Sequence, residues 1–523
     1  MNVFKGVEFV LRTLEERTQF GALIIFGFVV GMSSILQWGV GFSDPDAFYH
    51  AKLTELIVGG DFVRSFKWLP LTILSDSFAD HHLIYHFILA PFVSVFGGLF
   101  GVKISIPLFA GAIAVMFYGI LKRYFVPGAF WFTFLLCTAT PFLLRMNLAK
   151  ALPLSLIFYF VGLVALNERR YLLLFLVSFF YVWAYAGWPI LVVTSFIFAV
   201  TYFIIESRSI LLAARIFFSS ALGSALGLII NPYFPNHFLF YWNQIVSIAL
   251  VPTVRKGIGS EWYPISFSEL FVAIGPLFIV VIIITIIAIA SYLFEPERWL
   301  IGDKKEQVFR YSLSTISFAL FVMTLLFRRY MEYLIPVGYL TVALWFLRCY
   351  SLGVVQLFWH TIKNSFNNKY LAQVALTLII FINFFIFPAK AFFDVKETVQ
   401  KNKNIYFFKN TAIFLSTLPN NNVIFNLEWD KFPQLFYFND SIKYAWGLDA
   451  RFWKGDPNEP ILARQKLLEG EAEQLTILLH KVSSKYFVVS SRDLTPKVAR
   501  ELGRAKYKLL YHDNEGSVYA VPE

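Results

Sequence analysis

Residues 20–40, FGALIIFGFVVGMSSILQWGV, run for 21 positions without a charged side chain and pass directly into residues 41–50, GFSDPDAFYH. A bilayer's hydrocarbon core takes about 20 apolar helical residues, so the first stretch reads as a membrane span and the second as the start of a loop. The run is too long for the apolar region of a signal peptide and has no small-residue cleavage site after it, so it is expected to be retained. Before it, Lys5, Arg12 and Arg17 alternate with Glu8, Glu15 and Glu16. The N-terminus is expected to be cytoplasmic.

The remainder of the chain extends this reading. Of 523 residues, 58% are hydrophobic, 19% aromatic and only 15% charged, with a mean hydropathy of +0.62. One soluble core cannot hide that much apolar surface, so the chain needs a bilayer. Further apolar runs near 103–121, 127–144, 150–166, 170–186, 188–205, 211–230, 267–294, 310–327, 333–348 and 369–388 bring the expected spans to eleven. Residues 83–101 are also apolar, but a span there would put Lys122 and Arg123 outside, so an interfacial or re-entrant helix is expected instead.

The formal charge of +11 is unevenly placed. From residue 390 onward, 19 Lys and Arg face 16 Asp and Glu, whereas the apolar part carries 26 against 18. The basic excess sits in short loops such as Lys122-Arg123, Glu168-Arg169-Arg170 and residues 208–215, as the positive-inside rule expects. That distribution excludes nucleic acid as a partner. It predicts an integral protein of the plasma (inner) membrane, bacterial or archaeal, with two outer loops at 42–102 and 231–267 and an extracytoplasmic C-terminal domain from 390 to 523. There the apolar runs shorten to strand length at 422–425, 486–489 and 517–521, with an amphipathic helix expected at 459–482, giving a small α/β domain. Cys137 and Cys349 fall at opposite membrane faces, too far apart for a disulfide.

Two outer connections break the charge rule: residues 145–150, RMNLAK, and residues 328–332, RRYME. Their cations either snorkel to the interface or, as Arg145, Lys150, Arg328 and Arg329, bind a membrane-borne anion such as a lipid-linked phosphate. In the first outer loop, Asp44 and Asp46 could bind a divalent cation, act as a base, or cap a helix. Asp80 could cap a second helix or join a metal site with His81 and His82, where His82 and His86 are spaced for one helix face. Glu261 follows Gly257 and Gly259, which suits a loop closing over a substrate. In the C-terminal domain Trp429 and Asp430 follow a strand, an aromatic wall and a carboxylate suited to a peptide or a sugar.

The order of these pieces resembles the oligosaccharyltransferase catalytic subunit family, whose fold is the GT-C type. Residues 46–49 (DAFY) resemble its first-loop Asp motif, 178–190 (SFFYVWAYAGWPI) its Trp-Gly span, 260–264 (SEWYP) its Ser-Glu loop motif and 329–333 (RYMEY) its Arg-aromatic motif. Trp429-Asp430 matches the last Trp and the Asp of its Trp-Trp-Asp-Tyr-Gly signature. The resemblance implies a metal-dependent, inverting transfer of a glycan from a polyprenyl-linked donor to an Asn of an acceptor polypeptide. It further implies Mg or Mn held partly by Asp46, Glu261 orienting the acceptor amide, Arg329 holding the lipid diphosphate, and Trp429 and Asp430 holding the Ser or Thr of the acceptor sequon.

Two departures stand out. The second outer loop carries no acid where the family has a carboxylate pair, so Asp44, Asp80 or His81 and His82 substitute, or no metal is used. Glu428, Lys431 and Phe432 replace other signature residues. A second reading is therefore a GT-C enzyme taking one sugar from a polyprenyl monophosphate to a lipid, a polysaccharide or a Ser/Thr, with Asp46 as general base. A transporter or flippase fits less well, because the acids gather in outer loops rather than at the midplane.

Overall fold

The computed structural model describes residues 18–39, 41–246, 259–294, 302–354, 381–402, 404–419 and 422–522, together with 374, 377 and 378. Of the expected span at 369–388, the second part is helical through Ile382–Ile386 and on into Phe387–Val399, while most of 369–380, the N-terminal charges and Gly257 lie outside these residues. Six described helices are long and apolar enough to cross a membrane: Thr18–Gln37, Gly98–Arg123, Ile210–Ile229, Phe267–Ile286, Lys304–Leu326 and Arg328–Ser351. The chain is an integral membrane protein with a mostly helical body and a C-terminal α/β domain.

Four other expected spans take shorter or broken forms. Residues 152–167, 171–184 and 189–205 form apolar helices of 16, 14 and 17 residues, below the roughly 20 that cross a bilayer upright. The run at 127–144 is a pair, Ala129–Cys137 and Thr140–Met146, bent by 72°. Ala139 is extended between them and Pro141 opens the second piece; proline has no N–H to continue the first helix's ladder. The bend aims the chain's next charged residues, Arg145 and Lys150, into the site described below. Leu83–Phe96 is a separate 14-residue helix, joined to Gly98–Arg123 through Gly97 at φ +79°, a conformation that glycine adopts without strain.

Helix packing follows small residues. A Cβ on Gly223 or Gly227 would come within 2.3 Å or 2.5 Å of the carbonyl oxygens of Phe175 and Phe179. Tyr171–Ala184 and Ile210–Ile229 therefore pack backbone to backbone, as small-xxx-small pairs do in membranes, and Trp183 Nε1 donates to Gly227 O at 2.7 Å.

The C-terminal domain carries five strands: β1 (Val423–Asn426), β2 (Lys443–Tyr444), β3 (Tyr486–Ser490), β4 (Lys508–His512) and β5 (Gly516–Ala520), in the order β2-β1-β3-β5-β4. β1 pairs in parallel with β2 and β3, while β5 is antiparallel to β3 and β4. The amphipathic helix expected at 459–482 is two helices, Asn458–Glu469 and Glu473–Lys481, because Gly470 at φ +91° ends the first, a left-handed C-terminal cap. The domain is pinned to the segment at 42–102. Lys52 pairs with Asp440 at 3.0 Å, Tyr437 donates to Glu55 at 2.9 Å, and Trp68 Nε1 donates to Asp440 O at 2.6 Å. Phe66 and Phe78 of that segment share a buried cluster with Phe432, Phe436 and Tyr444 of the domain.

Candidate active site

Four separate chain segments bring charge to one place, beside the start of the Asp46–Val58 helix. The loop after the first long helix turns at Asp44, whose Oδ1 accepts from Asp46 N at 3.0 Å just ahead of the Asp46–Val58 helix. Its other oxygen accepts from Lys150 Nζ at 2.9 Å, and Asp46 Oδ2 lies 3.1 Å from the same ammonium. Asp44 thus closes a turn with one oxygen and holds Lys150 with the other, while Pro45 is the residue that precedes the helix.

Beside this pair lies a second knot. Glu261, on the short turn Ser260–Trp262, accepts from Arg145 at 2.9 Å on Oε2 and from Arg329 at 3.0 Å on Oε1. Arg145 also pairs with the buried Glu332 at 2.9 Å, and Arg329 donates to the Tyr185 hydroxyl at 2.6 Å while stacking 4.9 Å from the Trp262 ring. Two guanidinium groups gripping one carboxylate form a fork that suits any oxyanion of that size. Each of these side chains is partly or largely buried, where unpaired charge is costly and paired charge is held firmly in place.

The surroundings set the protonation. Burial raises the Asp46 carboxyl to about 6, with Lys150 opposing and Asp44 and Glu261 adding to the rise. Burial would raise Glu261 as well, but Arg329, Lys150 and Arg145 together outweigh it and hold it well below the ordinary carboxylate range. For Lys150, burial disfavours the ammonium, yet Asp44 and Asp46 win and lift it well above its usual value. The site therefore holds one carboxylate fixed as an anion, one raised to about 6, and a firmly charged ammonium.

His82 immediately precedes the Leu83–Phe96 helix, its carbonyl accepts from His86 N at 3.0 Å, and the two rings lie 6.4 Å apart between centroids. Asp80 Oδ1 accepts from His82 N at 2.9 Å, while Asp80 Oδ2 and His86 Nδ1 are 2.7 Å apart. With His86 Nδ1 donating to that carboxylate, its Nε2 accepts from His50 Nδ1 at 2.8 Å. Burial, then His86, Lys150 and His81, hold the His50 imidazole well below its ordinary value. His81 stacks on Phe240 with 4.2 Å between ring centroids. Asp80 is thus engaged by His86 rather than by Asp44 or Asp46, and among the described residues no three His, Cys, Asp or Glu converge to hold a metal ion. The side chains of Asp44, Asp46, Asp80, His81 and His82 as they stand do not fit a divalent cation, which takes six to eight oxygen ligands as Ca or octahedral ones as Mg.

The remaining foreseen residues lie apart from the knot. Arg328 faces Glu269 at 3.4 Å on the exposed side. Trp429 packs against the domain core around Trp446 and Trp453, and Asp430 pairs with its neighbour Lys431 at 2.8 Å. Among the described residues, no hydrogen bond or ion pair joins Trp429 or Asp430 to the charged cluster. Glu332, Tyr185 and Trp262 were not foreseen as site residues, although an acid at the start of an apolar helix, as Glu332 is, is itself a signal of function.

No family model and no curated protein matches the sequence. Solved structures do. The oligosaccharyltransferase AglB of Archaeoglobus fulgidus, in complex with an inhibitory peptide and a dolichol-phosphate, aligns over 97% of this chain and 74% of its own, with a TM-score of 0.61 at 12% identity. The same archaeon's oligosaccharyltransferase with Zn and sulfate aligns over 95% and 73%, with a TM-score of 0.56 at 13% identity. ArnT of Cupriavidus metallidurans, bound to undecaprenyl phosphate, aligns over 96% and 98%, with a TM-score of 0.52 at 12% identity. At such low identity it is the architecture that is shared, and the chain has the GT-C fold of these membrane proteins over nearly its whole length.

Proposed function

We propose that the protein is a membrane glycosyltransferase that moves a glycan from a polyprenyl-phosphate-linked donor to an acceptor, with a protein asparagine the first acceptor to test. The observation that carries this reading is the fork of Arg145 and Arg329 closed on Glu261, immediately beside Asp44, Asp46 and Lys150. The donor phosphate takes over the guanidinium N–H groups that Glu261 now occupies, and Glu261 turns to orient the acceptor amide. The acceptor nitrogen attacks the anomeric carbon, and the carbon–oxygen bond to phosphate breaks with its electron pair leaving on the phosphate oxygen. The N–H proton passes to Asp46, a better base than an ordinary carboxylate because burial raises its pKa. The protein's share is positioning and charge stabilisation, and inversion follows from attack opposite the leaving group. Trp429 and Asp430 would receive the acceptor's flanking residues.

A second reading is favoured by the loop at 145–150, which brings cations where a metal-dependent site needs acids. In it a single sugar leaves a polyprenyl monophosphate, as the structural likeness to ArnT with undecaprenyl phosphate suggests, and Asp46 takes the proton of an acceptor hydroxyl. Purified protein given a polyprenyl-diphosphate glycan and an Asn-X-Thr peptide should form glycopeptide under the first reading. Sugar transfer only from a monophosphate donor to a lipid or hydroxyl acceptor would select the second, and no turnover of either donor would overturn both.

A further inference from the structure

We infer that the Lys150 ammonium group occupies the seat a divalent cation would take between Asp44 and Asp46, so that the chain carries this positive charge as a side chain rather than as a bound ion. The inference rests on reading the cluster as a glycosyl-transfer centre, but its geometry stands independently. Nζ lies 2.9 Å and 3.1 Å from one oxygen of each carboxylate. The second Asp44 oxygen accepts from Asp46 N at 3.0 Å, which fixes the carboxylate in place beside the amine.

The lysine is placed, not trailing. Ala149 and Ala151 on either side are buried, and Lys150 N donates to Leu148 O at 2.9 Å. The preceding Asn147 is buried, donates to Leu143 O at 2.8 Å and accepts at its own carbonyl from Gln37 of the first long helix, also at 2.8 Å. The turn that presents Lys150 is thus tied to the helix that leads into Asp44 and Asp46. A snorkelling lysine would instead extend to the membrane interface. An ammonium has three donors in tetrahedral arrangement, enough for both carboxylates with one left toward the reacting centre. In this role Lys150 is a positioning residue that acts through Asp44 and Asp46, holding the two carboxylates together and neutralising part of their charge.

The test reads metal binding directly and needs no turnover, so its failure is separable from failure of the transferase reading. Mn²⁺ binding is measured by electron paramagnetic resonance on purified full-length protein and on Lys150→Ala, Lys150→Met, Lys150→Arg and Lys150→Ala/Asp46→Asn. Lys150→Met keeps the length of the stem should the alanine variant fail to fold. The wild type and Lys150→Arg are expected to bind no Mn²⁺ that depends on Asp46. Removal of the amine is expected to create one weak site, in the millimolar range for so few charged ligands, which the double variant loses. Asp46-dependent Mn²⁺ binding by the wild type would overturn the inference. So would neutral variants that fold, as judged by their melting, and still bind none.

Discussion

Asp46 is the side chain whose protonation should appear in the rate. Its carboxyl is raised to about 6, first by burial, with Lys150 opposing and Asp44 and Glu261 adding to the rise. As a proton acceptor it works ionised, so transfer should fall as the pH drops through about 6 and level off above it. Asp46→Asn should lower turnover by on the order of 10²–10⁴-fold and remove that inflection; a pH–rate profile of both proteins checks this. Glu428 offers the opposite case. Burial lifts it to about 7 despite its bond from Ser490, with Asp493 adding to the rise, and its Oε2 accepts from Ser490 N at 3.2 Å. A carboxyl raised in the folded state stabilises below its ordinary value and loses that contribution as the pH rises through the folded pKa. The C-terminal domain should therefore melt lower at about pH 8 than at about pH 5, and Glu428→Gln should flatten the difference. Residue identities alone point to Asp44, Asp46, Arg145, Lys150, Glu261 and Arg329, because charges on a sparsely charged chain stand out. Their partnerships were hidden. Nothing in the spacing tells that Lys150 closes on Asp44 or Arg145 on Glu261, since those contacts cross 106 and 116 positions of chain.

At the scale of elements, apolar runs located the helices well and their lengths less well. Hydropathy sees composition, whereas helix ends are set by local events: Pro141 after an extended Ala139, Gly97 and Gly470 in the left-handed region. The two-residue strand β2 and the half-exposed strand β4 gave too little alternation to be read. The histidine spacing of four brings the rings of His82 and His86 within 6.4 Å, but it does not tell that His86 pairs with Asp80 and His50. The close approach of Tyr171–Ala184 to Ile210–Ile229 makes a sharper prediction. A methyl group on Gly227 would meet the Phe179 carbonyl, so Gly227→Ala should force the helices apart and cost about 1–3 kcal/mol. Thermal unfolding in detergent would register it as a lower melting temperature, while an unchanged Tm would contradict backbone-to-backbone packing.

Over the whole molecule, the helical body, the segment at 42–102 and the C-terminal domain act as one support for the charged cluster. The Asp46–Val58 helix carries a cluster residue at its first position, and Lys52 and Glu55 further along bind the domain. Breaking that seam should therefore reach the site: Trp68→Ala, which removes the bond to Asp440 O and an aromatic packed 4.8 Å from Phe436, should speed proteolytic release of the domain and lower transfer together. The account as a whole depends on the fork of Arg145 and Arg329 being a seat for the donor's phosphate. The measurement that tests this most directly is native mass spectrometry of the purified protein with polyprenyl phosphate, comparing wild type with Arg329→Ala and Arg145→Ala. One lipid should be retained by the wild type and its affinity should fall about tenfold or more in each variant, since a charge-assisted contact is worth about 1.5–3 kcal/mol. Equal retention by all three proteins would contradict the assignment.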